Sequence, residues 1–194
     1  MKKIAIFASG NGTNAQRIIE YFRDKPEVRV DLVLSNNPVA YVLTRIKPFN
    51  IPGLVFTRDE FYHSSKVVDI LREREISFIV LAGFMWLIPG NLLTEYSGRI
   101  VNIHPALLPN FGGKGMYGMH VHEAVIRSKQ SKSGMTIHLV NEIYDAGTII
   151  FQEECKVSPS DTPETLASKI HALEHEYYPV VIEALLQEPE EEDQ

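Results

Sequence analysis

The chain has 194 residues, 44% of them apolar and 23% charged, the usage of an ordinary globular protein and not of a chain left disordered for want of a core. At roughly 100–200 residues per domain this length predicts a single domain that needs no staples. The formal net charge of −6, from 25 acids and 19 bases, argues against a general nucleic-acid or anionic-membrane binder.

Lys2-Lys3 is followed by a glycine turn too soon for a secretory apolar region, so a cytoplasmic protein is expected. Ile4 to Ala8 reads as a short buried strand, Ser9 to Thr13 as a turn, and Ala15, Ile18, Ile19 and Phe22 recur at helical spacing. Val28 to Leu34 supplies a second strand ending at Ser35-Asn36-Asn37. Val67, Ile70 and Leu71, followed by the charged Arg72 to Glu75, predict an amphipathic helix. The longest apolar run, Phe78 to Ile88, has eleven residues and stops at Pro89. A membrane span needs about 18 or more, so this run is read as a buried strand and its exit. Arg99 to His104 is a further strand, stopped by Pro105. Strands alternating with helices predict a Rossmann-like α/β fold, a mostly parallel twisted sheet with helices on both faces.

After residue 130 the pattern changes. Met135 to Val140 and Thr148 to Phe151, joined by Asn141 to Gly147, predict an antiparallel strand pair near the C-terminal end. Cys155, the lone cysteine, excludes an intrachain disulfide and any Cys-rich metal site. Thr162-Pro163-Glu164 predicts a helix start, with threonine as N-cap and proline first in the helix, and Pro179 marks a kink. The domain is expected to span residues 1–186. Residues 187–194 form an acidic tail with five acids and no base, which leaves a body of net charge −1.

In open α/β sheets ligands sit outside the carboxyl ends of the strands. Just after the first strand, Gly10-Asn11-Gly12-Thr13-Asn14-Ala15 suits an anion: glycines let the backbone approach closely, and free amides at the helix N-terminus meet the charge. A dinucleotide would also want an acid after the second strand, where this chain has Ser35-Asn36-Asn37. A phosphate monoester fits better, and a purely structural turn is the alternative. At the end of the later strand, Asn102 and His104 lie two apart and so share a face. An amide beside an imidazole suits an oxyanion growing on a carbonyl carbon, although a strand-end pair satisfied by loop backbone would look the same. Asp145 is a loop acid that either caps its turn or, if near His104, favours the imidazolium.

Ser9-Gly10-Asn11-Gly12-Thr13-Asn14, Leu81 to Met85, Asn102-Ile103-His104-Pro105-Ala106-Leu107-Leu108-Pro109 and Asp145-Ala146-Gly147 together resemble the phosphoribosylglycinamide formyltransferase family in order and spacing, over about residues 2–186. The resemblance implies transfer of a formyl group from 10-formyltetrahydrofolate, as cosubstrate and without a metal, to the amine of glycinamide ribonucleotide in purine biosynthesis. It implies that Gly12, Thr13 and Asn14 hold the substrate phosphate and that Glu174 contacts the same substrate. Catalysis would fall to Asn102 and His104, which stabilise the oxyanion, with Asp145 keeping His104 charged. The folate would lie along Met85, Trp86, Leu87 and Ile88 and against Asn102, Asn141, Glu142 and Asp145. The implied partners are these two small molecules, with no nucleic acid and no membrane; monomer and homodimer both stay open.

Two features depart from the family pattern. Trp86 stands where many relatives have arginine, and no arginine between Phe61 and Val67 matches one used near the folate, so the hold on the folate's glutamate tail differs. The stretch Asn110 to Gly118 is longer and richer in glycine than usual and is either a flap in which Lys114 meets an anion or a connector. Three other readings compete: a formyltetrahydrofolate hydrolase, a non-catalytic phosphate or nucleotide-binding module, and a metal hydrolase built from some of His104, His120, His122, His138 and Asp145. The last lacks any dense ligand motif.

Overall fold

The computed structural model describes residues 1–187. Of the expected acidic tail, Gln187 closes the last helix and the rest lies outside the described residues. The chain builds a seven-stranded sheet in the order β3-β2-β1-β4-β5-β6-β7. Its strands are β1 (Lys2–Phe7), β2 (Val28–Ser35), β3 (Gly53–Val55), β4 (Phe78–Leu81), β5 (Ile100–His104), β6 (Lys132–Leu139) and β7 (Ile149–Lys156). The first five pair in parallel, and β6 runs antiparallel to both β5 and β7.

Strand alternation divides the core in two. Ile4 and Ile6 of β1 face the layer that holds α1 (Thr13–Phe22), α2 (Val42–Arg45), α6 (Met119–Arg127) and α7 (Pro163–Gln187). Ala5 and Phe7 face α3 (Arg58–Tyr62), α4 (Lys66–Glu73) and α5 (Gly90–Glu95). Helices therefore cover both faces, as the alternating pattern predicts.

The elements the sequence hides are short or exposed. β3 is three residues long, and β7 alternates exposed and half-buried positions through Gln152, Glu153 and Glu154. That makes β7 longer than the expected Thr148–Phe151: a sheet-edge strand needs few apolar side chains, so its polar half carries no hydrophobic signal. The helix start at Thr162 is as expected, since its hydroxyl accepts a hydrogen bond from the Thr165 N–H at 3.3 Å. α7 continues through Pro179, which cannot donate to the carbonyl of His175 four residues earlier. Arg17 of α1 donates to that carbonyl instead, at 3.3 Å. Deeper in the sheet, the buried Tyr178 hydroxyl lies 2.8 Å from the Leu81 carbonyl and 3.2 Å from that of Val101. α7 is thereby fixed against the ends of β4 and β5.

Candidate active site

β1, β4 and β5 run parallel, so the chain leaves all three at one edge of the sheet. There a cavity of about 750 Å³ opens, within the range of small-molecule sites. Its floor and walls come from the glycine loop after β1, the apolar segment after β4, the end of β5, the loop between β6 and β7, and one face of α7.

At the first of these, Gly12 has φ of +77°, and a Cβ there would come within 2.4 Å of Val42 Cγ2. Only glycine lets the loop turn this tightly against α2. Gly12, Thr13 and Asn14 all line the cavity, and so does Glu174 from α7. Asn14 Nδ2 donates to Glu174 Oε2 at 2.9 Å. The Glu174 carboxyl is 5% exposed, and burial raises its pKa against the lowering effects of Asn14 and His171. The predicted inward position of Glu174 is thus occupied, by an acid with one strong partner.

Asn102, His104 and Asp145 come together at the centre of the cavity, and His138 joins them. Asn102 and His138 are directly paired across β5 and β6. His138 Nδ1 lies 2.9 Å from the Leu139 carbonyl, which can only accept, so Nδ1 carries the proton in the neutral ring. Nε2 is then an acceptor for Asn102 Nδ2 at 3.1 Å, which fixes the orientation of the Asn102 amide. His104 Nε2 lies 2.8 Å from the Phe111 carbonyl and its Nδ1 3.5 Å from Asp145 Oδ2. Each ring nitrogen therefore faces an acceptor. Asp145 has φ of +55°. Its Oδ2 accepts from the Gly113 N–H at 2.9 Å, and its Oδ1 is 3.6 Å from His138 Nε2.

The electrostatics refine the expected roles. Burial opposes the Asp145 charge, yet His138 when its Nε2 also carries a proton, His104 and the Gly113 N–H outweigh it, so this carboxyl stays below the usual range. For His104 the balance falls the other way from the expectation that Asp145 holds it charged. Its ring is 3% exposed, and burial lowers its pKa by more than Asp145 and the Phe111 carbonyl raise it. The imidazolium has a partner for each N–H but is not the resting form at neutral pH.

Of the residues expected at a folate, Met85, Trp86, Leu87, Ile88, Asn102, Asn141 and Asp145 line the cavity. Glu142 does not: it is exposed on the bend between Asn141 and Ile143, which do, where the Ile143 N–H donates to Asn141 Oδ1 at 3.0 Å. The Arg58 guanidinium lies over Trp86, 5.7 Å from its ring centre, so a cation stands beside this position of the cavity wall. In the glycine-rich stretch, Lys114 lines the cavity. Sequence reading gave no role beyond that of a candidate metal ligand to His138, and none at all to His171 and Arg45. The register of β5 against β6 brings His138 in, and no motif signals it.

The model of the formyl transferase family matches residues 2–182. The chain belongs to the formyl transferase family. This family member is 38% identical to phosphoribosylglycinamide formyltransferase of Bacillus subtilis, with 96% of this chain and 95% of that protein covered. It is 43% identical to the chloroplastic phosphoribosylglycinamide formyltransferase of Arabidopsis thaliana, of which it spans 66%. Among solved structures, that of phosphoribosylglycinamide formyltransferase from Bacillus halodurans superposes with a TM-score of 0.86 at 43% identity, covering 96% of each chain.

Proposed function

We propose that this formyl transferase moves the formyl group of 10-formyltetrahydrofolate to the amine of glycinamide ribonucleotide, a step of purine biosynthesis. The observation that carries this reading is the convergence of Asn102, His104, His138 and Asp145 between an anion-accepting loop and an apolar wall in one cavity. The loop at Gly12, Thr13 and Asn14 takes the substrate phosphate, and Glu174 orients the part of the substrate next to it. The wall of Met85, Trp86, Leu87 and Ile88, joined by Val140, suits a flat pterin that needs apolar cover.

The substrate amine attacks the formyl carbon, and negative charge grows on the formyl oxygen. Asn102, its amide oriented by His138, donates to that oxygen, and the imidazolium form of His104, the minority form at neutral pH, adds positive charge beside it. The bond from the formyl carbon to the folate nitrogen then breaks. One proton leaves the amine and one is gained by that nitrogen, so the exchange consumes none overall. His104 and Asp145 are the groups placed to relay it.

The test is an assay of purified protein with both substrates, with water as the competing acceptor. Formylated glycinamide ribonucleotide and tetrahydrofolate should appear in equal amounts. Formyl release without the amine would overturn the reading in favour of a hydrolase.

A further inference from the structure

The anion loop is held from behind. The Val42 N–H donates to the Gly10 carbonyl at 3.1 Å, and the Arg45 side chain closes on the next peptide. Arg45 Nε donates to the Asn11 carbonyl at 2.9 Å, Nη2 to Asn11 Oδ1 at 2.5 Å, and Nη1 to Gln16 Oε1 at 2.6 Å. The guanidinium also lies 5.0 Å from the centre of the Tyr41 ring, which limits its freedom. All three acceptors are neutral, so these bonds leave its charge uncompensated.

The chemistry of a peptide unit gives this arrangement a direction. The Gly10 carbonyl shares its peptide with the Asn11 N–H, and the Asn11 carbonyl shares its own with the Gly12 N–H. Both N–H groups donate to no acceptor among the described residues. A donor on a carbonyl draws electron density through the amide and strengthens the N–H at the other end. A charged donor does so more than a neutral one.

We propose that Arg45 is a positioning residue for the phosphate of the substrate. It acts through the Asn11–Gly12 peptide, whose N–H it orients and polarises toward the anion, and it places a full positive charge behind a loop that itself has none. Its ligand class is a phosphate monoester dianion. This rests on the proposed function above, and it concerns binding of the phosphate rather than formyl transfer, since Arg45 does not line the cavity.

The experiment compares glycinamide ribonucleotide with glycinamide ribonucleoside, which lacks the phosphate, in the wild type, R45K and R45M. Calorimetric affinity for the ribonucleotide without formyl donor is a second readout. R45M should reduce the preference for the phosphorylated substrate by about tenfold to a hundredfold, the range for losing a charge-assisted hydrogen bond. Its kcat at saturation and its kcat/KM on the ribonucleoside should stay within about twofold. R45K keeps the charge and loses the two-pronged grip on Asn11, and should fall between. Equal losses on both substrates, or an unchanged preference in both variants, would overturn the role of Arg45 alone. A wild type indifferent to the phosphate would overturn the cradle and this proposal with it.

Discussion

His122 gives the account a quantitative test away from the chemistry. Its ring is 2% exposed, sits on α6 at the cavity, and has an Nδ1 with no hydrogen-bond partner among the described residues. Burial lowers its pKa from 6.5 to about 4, with His171 and then His104 adding to the effect. The sign follows from linkage: below pH 6.5 the unfolded chain takes up a proton that the folded chain refuses, so stability falls as pH drops from 6.5 to about 4. At 1.36 kcal/mol per pH unit the full displacement corresponds to ~3.4 kcal/mol, and screening by water in the cavity brings this to about 2–3 kcal/mol. The perturbation is H122F, which keeps the ring volume and cannot titrate. Urea unfolding at pH 8 and pH 4 measures both proteins, and each comparison of variant with wild type cancels the other groups that titrate in this window. H122F should be near or below the wild type at pH 8 and gain about 2–3 kcal/mol on it by pH 4. Parallel stability curves would refute the assignment of a buried ring that stays neutral.

Two further predictions concern the site and its support. In D145N the contribution that raises the His104 pKa is lost while burial remains, so the alkaline fall of kcat/KM should move to lower pH; an unmoved limb would show that His104 does not act as the imidazolium. Y178F removes the hydroxyl that ties α7 to the Leu81 and Val101 carbonyls and should cost ~1–2 kcal/mol in chemical unfolding, whereas a loss under about 0.3 kcal/mol would mean that tie contributes nothing.

Much of the architecture was legible because apolar periodicity records burial. Ala15, Ile18, Ile19 and Phe22 are the buried face of α1, and Ile4 to Phe7 is the wholly buried centre of the sheet. The polar half of β7 and the three residues of β3 gave no such signal, since neither must face a core. At the site, Asn102 and His104 could be paired from strand geometry alone. Asp145 could not be placed beside them, because a loop acid carries no record of what it touches. His138 was harder still: its partner across the sheet, Asn102, lies 36 residues away and is set by the register of two strands. The protonation state of His104 depends on a balance between burial and one carboxylate, which only the folded geometry supplies. Arg45 illustrates the same limit, since a basic residue on a four-residue helix reads as surface until its three hydrogen bonds to the glycine loop and α1 are seen.

The claim on which the rest depends is that Asn102, oriented by His138, donates to the oxyanion of formyl transfer. Steady-state assay of N102A with 10-formyltetrahydrofolate and glycinamide ribonucleotide tests it most directly. The account predicts a fall in kcat of about 10²–10³ with little change in KM for either substrate, the usual cost of one lost oxyanion donor. Wild-type turnover in N102A would contradict it.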